Sequence, residues 1–291
     1  MARPSKPRRW TLKNLNERVY ELRVTYPGSR SRFRWMALTD LHWDSAHCDR
    51  ALLKRHLDMA LAEDAPVIVV GDMFDLMQGK WDPRSDQNTL RPEHRGNCYL
   101  DLVVQTAVDW FAPYAKILAV IRPGNHEASI TRRHQIDVLD RFCFSMRQLG
   151  SEVIYGKDWC YVLQKNSRVN SRDTANTKVF LNHGWGGGGP ITRGLIDHSR
   201  TRDQWDGDIF VSGHIHRKNI DENNVVRCTL NGKVEIRNQL FVRCSSYKHE
   251  INDSWHVSQG RGARPLGGWW ITHECLRHEH NTEYVYFAEQ I

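Results

Sequence analysis

Five short stretches carry side chains that could hold metal ions: Asp40-Leu41-His42, Gly71-Asp72-Met73-Phe74-Asp75, Gly124-Asn125-His126-Glu127, His183-Gly184 and Gly213-His214-Ile215-His216. Their donors are imidazole nitrogens, carboxylate oxygens and one amide oxygen, with no thiolate. Such a set suits manganese, iron, zinc or magnesium-like ions rather than a cysteine-based structural zinc. Seven candidate ligands (Asp40, His42, Asp72, Asn125, His183, His214 and His216) are too many for one ion and suit two ions that share a bridging carboxylate. Two ions roughly 3.5–4 Å apart can clamp a phosphoryl group and make a hydroxide nucleophile near neutral pH.

The elements around these stretches explain how they could converge. Each follows an apolar run of strand character: WMALTD (35–40), PVIVVGD (66–72), AKILAVI (115–121), KVFLNH (178–183) and DIFVSGHIH (208–216). Sites in open α/β sheets form at the carboxyl ends of strands, so five such ends predict one cluster. Alternation along an extended chain would point Asp40 and His42 the same way, and likewise His214 and His216. Glycines 71, 124, 184 and 213 would permit sharp exits and close backbone approach.

Apolar periodicity predicts helices over 49–64, 99–111, 134–150 and 191–200, and an alternating strand over 17–26. Beyond residue 150 strands dominate, including 223–230, 233–244, 267–273 and 283–289, and no internal repeat is present. Residues 77–97 and 245–268 are polar and turn-rich and are expected as long loops; the second, with Arg261 and Arg264, could reach back over the site or contact a partner. This order predicts one α/β domain with a mixed sheet, extended by a second sheet.

Taken in order, D-x-H, G-D-x-x-D, G-N-H-E, H and G-H-x-H resemble the calcineurin-like metallophosphoesterase superfamily, over about residues 33–217. The resemblance implies a four-layer α/β/β/α sandwich of two packed, mostly mixed sheets flanked by helices. It implies two divalent ions, manganese first, with iron, zinc or magnesium as alternatives. Asp40, His42, Asp72 and His216 resemble one ion's ligands. Asp72, Asn125, His183 and His214 resemble the other's, with Asp72 bridging. His126 resembles the family's non-ligand histidine, which protonates the leaving oxygen or stabilises charge on the phosphoryl group, and Asp75 the carboxylate that orients it. A neutral Asn125 oxygen would lower the site's negative charge and let a phosphate anion approach.

Composition sets the remaining bounds. The 291 residues are 40% hydrophobic and 26% charged, ordinary for a globular protein. No apolar run approaches the ~20 residues of a membrane span, and no apolar segment follows the basic N-terminus to make a secretory signal. Seven scattered cysteines without a C-x-x-C pair suit reduced thiols in a cytosol. Residues 1–34 hold ten Lys/Arg against two Glu, a net of +8, whereas the whole chain is +7. The basic character is therefore N-terminal, and residues 1–16 are expected as a basic arm ahead of a single domain over 17–291. Histidines 47, 56, 94, 134 and 198 are expected as ordinary polar residues, and Glu127 as a local hydrogen-bond partner. His273, Cys275, His278 and His280 fit no closed zinc site and are expected on a surface strand.

Substrate choice lies with the loops. Family members that act on phosphoproteins usually continue G-D-x-x-D with Arg-Gly; here Leu76-Met77 follow, which weighs against a phosphoprotein. G-D-M-F-D resembles the repair nucleases of the superfamily, although little chain is left for their capping regions. Lys80, Arg84, Arg91 and Arg95 could cap the site with positive charge, and Trp43, Trp81 and Trp185 could pack or stack a base. Lys80, Arg84 and Trp185 are the candidate substrate contacts. The expected reaction is hydrolysis of a nucleotide or nucleic-acid phosphodiester, with a phosphomonoester as alternative and an inactive binding scaffold as a reading of another class. The oligomeric state is left open.

Overall fold

The computed structural model describes residues 8–291, apart from 79–81, 83–84, 86–88, 173, 188, 190–191, 193, 253–256, 259, 261 and 278–281. The β-branched run Val67–Val70 (β4) is buried at every position, as a strand covered on both faces must be. It pairs in parallel with Arg32–Leu38 (β3) and Leu118–Arg122 (β5), and β5 with Ile154–Tyr155 (β6). On the far side of β3 the chain adds Trp269–Arg277 (β12) and Thr282–Gln290 (β13), both antiparallel to their neighbours. This six-stranded sheet faces a seven-stranded one of order β1-β2-β7-β8-β9-β11-β10. Its strands are Trp10–Asn16 (β1), Val19–Tyr26 (β2), Trp159–Arg168 (β7), Thr174–Asn182 (β8), Ile209–Ser212 (β9), Asn219–Cys228 (β10) and Val234–Arg243 (β11).

Alternation sorts side chains between layers. Val179, Leu181, Ile209, Val211, Leu240 and Val242 point into the inter-sheet core with Trp35, Ala37, Ile68 and Val70. Phe180, Phe210 and Phe241 point the other way, where His198 and Trp205 stack on them from Leu195–Gln204 (α5) and its end. The outer face of the six-stranded sheet is covered by Arg50–Ala62 (α1), Tyr99–Phe111 (α2) and Val138–Gln148 (α4) through Leu53, Leu57, Val103, Phe111, Phe142 and Met146. The result is the expected α/β/β/α sandwich.

Three expectations are corrected. The helix predicted over 134–150 is the shorter Val138–Gln148 (α4), and a separate helix, Asn125–His134 (α3), precedes it where none was predicted. Gln135 ends α3 in the left-handed region, and Asp137 starts α4 by accepting the Asp140 N–H at 2.9 Å. Residues 10–16, placed in the basic arm, are β1: Trp10 is 1% exposed and β1 pairs antiparallel with β2. Burying that indole outweighs solvation of the arm's charges; residues 1–7 lie outside the described residues. Finally, β12 is an interior strand, and His273 and Cys275 are fully buried; His278 and His280 lie outside the described residues. No described helix is long and apolar enough to cross a membrane.

Candidate metal centre

The parallel strands β3, β4, β5, β8 and β9 end on one side of the sandwich, and hydrogen bonds tie those ends together. The Asp40 N–H donates to the Gly71 carbonyl (3.0 Å), that of His42 to the Asp72 carbonyl (3.2 Å), and that of Gly213 to the His183 carbonyl (2.9 Å). Strand alternation does not aim the ligands, contrary to expectation. β3 ends at Leu38 and β9 at Ser212, and Asp40, His42, Asp72, His214 and His216 all have positive φ, between 44° and 71°. Left-handed backbone at five such residues costs on the order of 1–3 kcal/mol each and clusters where a site needs it.

Two clusters result. In the first, Asp40 Oδ1 lies 3.1 Å from His216 Nε2 and 3.9 Å from His42 Nε2, and the two Nε2 atoms are 3.2 Å apart. In the second, Asp72 Oδ2 is 3.0 Å from His183 Nε2, and Asn125 Oδ1 is 3.1 Å from His183 Nε2 and 2.8 Å from His214 Nδ1. His183 also stands 3.8 Å from Asp40 Oδ1, which joins the clusters. The structure thus brings all seven predicted ligands together. Asp40 Oδ1 is buried with the Nε2 atoms of His216, His183 and His42 3.1, 3.8 and 3.9 Å away, and none of them makes a well-aligned hydrogen bond to it. A buried carboxylate needs compensating positive charge, and this set of N and O donors fits divalent ions.

Electrostatics point the same way. Burial opposes the charge on Asp40, but His183 and His216 outweigh it and hold the carboxyl below its usual range. Burial likewise opposes charge on Asp72, and His183 and His126 overcome it. Burial would lower His183, yet Asp72 and Asp40 raise it to about 9; Asp40 and Glu250 do the same for His216. The carboxylates therefore draw positive charge to these rings.

His126 lies beside both clusters without joining the ligand contacts. Its Nδ1 donates to the main-chain carbonyl of Asp75, its Nε2 is 3.7 Å from Asp72 Oδ2, and its side chain is 10% exposed. The expected orienting role of the Asp75 carboxylate is corrected: that group lies 2.9 Å from His42 Nδ1 and 3.4 Å from the buried Lys248 ammonium. His42, Asp75 and His126 are also close enough to hold an ion, but the Lys248 charge disfavours one there. Glu127 is a local partner, as expected. It accepts the N–H of Gly124 (2.8 Å) and of Phe74 (2.9 Å), tying α3 to the Asp72 loop, and burial raises its carboxyl to about 7.

Close backbone approach is required at Gly124, where an added Cβ would sit 2.0 Å from Asp72 Oδ1 and 2.4 Å from the Asp72 nitrogen. Gly124→Ala is expected to cost about 1–3 kcal/mol by overpacking and to displace Asp72. Denaturant unfolding and metal analysis of the variant check this.

Of the two places the sequence left open for loop 245–268, over the site or against a partner, the described part of it takes the first, but the residues behind the ligands were not named. The segment 245–250, directly after β11, lies against the site: Ser245 Oγ donates to the His216 carbonyl, Ser246 Oγ to the Asp40 carbonyl, and Lys248 and Glu250 reach Asp75 and His216. Its signal was the one used elsewhere, polar residues just after an apolar strand. Asp44 was missed too; it accepts the N–H of Asp75 (2.6 Å) and of Leu76 (3.1 Å). Of the substrate candidates, Lys80, Arg84 and Trp81 lie outside the described residues. Trp185 is 51% exposed, whereas Trp43 is buried under Arg50, and Arg91 is spent on the carbonyls of Ser45 and Cys48.

A two-sheet sandwich with paired His/Asp clusters at its strand ends defines a metallophosphoesterase-type protein. The chain belongs to the calcineurin-like phosphoesterase family, whose model matches residues 33–225. Among solved structures it is similar to Vacuolar Protein Sorting 29 from Cryptosporidium parvum, at 12% identity over 89% of this chain and 99% of that one (TM-score 0.33). It is also similar to Vps29 of Chaetomium thermophilum, at 11% identity over 90% and 98% (TM-score 0.34). GAP50, the anchor in the inner membrane complex of Plasmodium, matches at 10% identity over 89% and 88% (TM-score 0.40). A search of curated proteins finds no match.

Proposed function

We propose that the protein is a phosphoester hydrolase that works with two divalent ions. The observation that carries this is the convergence of seven nitrogen and oxygen donors in two adjoining clusters, with His126 alongside. Asp40, His42, Asp72 and His216 would hold one ion, and Asp72, Asn125, His183 and His214 the other. When bound, such ions polarise a phosphoryl group and make water acidic enough to attack at neutral pH. Water, its proton released to solvent, would form the new P–O bond as the bond to the leaving oxygen breaks. That oxygen takes a proton from His126 Nε2, the atom left free because Nδ1 donates to the Asp75 carbonyl.

For the substrate we propose a phosphodiester of a nucleotide or nucleic acid. Trp185, half exposed and two residues from His183, offers a face for a base. The test compares turnover of an aryl phosphate diester and the matching monoester with Mn²⁺. Faster diester turnover is the expected result. Monoester preference would turn the search to phosphorylated metabolites or proteins. Two bound ions with no turnover of either would favour a binding scaffold.

A further inference from the structure

Three groups fix His216 from behind. Its Nδ1 donates to the carboxylate of Glu250, whose side chain is 2% exposed. Arg264 Nε lies 3.1 Å from the other Glu250 oxygen, and the same guanidinium donates to the Ile215 carbonyl in the motif's own main chain. Ser245 Oγ donates to the His216 carbonyl at 2.8 Å. With Nδ1 engaged, Nε2 is the atom turned toward Asp40 and His42. Among the described residues the second cluster shows no equivalent brace: His183 Nδ1 faces the neutral carbonyl of Val70, at 2.9 Å.

We propose that Glu250, braced by Arg264, is a positioning residue for the ion held by Asp40, His42 and His216. It fixes the tautomer and orientation of His216 and makes that imidazole the stronger donor. Glu250 is not a ligand, since the ring stands between its carboxylate and the cluster. The inference rests on the two-ion reading above. It adds a residue that lies outside all five motifs and that controls one ion position and not the other.

The test is a Mn²⁺ titration of the metal-free protein, with free ion followed by electron paramagnetic resonance, on the wild type, Glu250→Gln and Glu250→Ala. Glu250→Gln keeps the volume and one acceptor oxygen, so it carries the test even if the alanine variant does not fold. Affinity at one of the two positions is expected to fall by about 10–100-fold, with the larger loss in the alanine variant. The other position should keep its wild-type affinity. Equal melting temperatures in chelator would show that the loss is not one of folding. Two ions bound with wild-type affinity by either folded variant, or equal weakening at both positions, would overturn the proposal while leaving the phosphoesterase reading intact. A wild type that binds no ion would overturn both.

Discussion

Asp72→Asn is expected to bring turnover to background, a loss on the order of 10³-fold or more, and to reduce bound metal from two ions to one or none. The substitution is isosteric. Its Oδ1 can still accept the His126 N–H, now at 3.0 Å, so the turn leading into α3 should survive. The change falls on the other oxygen, which lies 3.0 Å from His183 Nε2 and 3.7 Å from His126 Nε2. An amide there presents N–H to His183 and removes the negative charge shared by the two candidate ion positions. Metal analysis, with turnover of an aryl phosphate diester in Mn²⁺, checks both parts. Full occupancy with full activity would show that Asp72 does not bridge.

His126→Ala should separate binding from chemistry. The ring stands outside the two proposed ligand sets, so the variant is expected to keep both ions while its rate falls by about 10²–10⁴. The loss should shrink for a substrate whose leaving group is a good one, because such an oxygen needs no proton. Comparing nitrophenyl with alkyl leaving groups at saturating Mn²⁺ measures this. If the variant instead loses an ion, His126 is a ligand and the role proposed for it fails.

The two variants also separate two kinds of positioning. Asp72 is held by its place at the end of β4, where Gly124 leaves room for its oxygen. The His126 ring is oriented by the hydrogen bond from its Nδ1 to the Asp75 main-chain carbonyl, while its own main-chain N–H donates to Asp72 Oδ1. The Asp75 carboxylate, placed on His126 by motif, serves His42 instead, and Lys248 neutralises it from the far side.

The strands that carry the site were legible from the residues alone. Val67–Val70 can be little else than a strand buried on both faces, and five polar strand ends in one α/β chain imply a common site. All seven proposed ligands were named from their types and spacing, because metal-binding chemistry admits few residue types. Only the tertiary structure decided how those side chains converge, through left-handed turns beyond the strand ends rather than through alternation along them. Only it placed Trp10–Asn16 in a sheet, since burial of one indole outweighs a local excess of charge that composition alone emphasises. Only it revealed Glu250, Arg264, Lys248 and Asp44 behind the ligands. Their partners lie tens to hundreds of residues away, so the polar run after β11 could mark the segment but not which of its side chains meets which ligand.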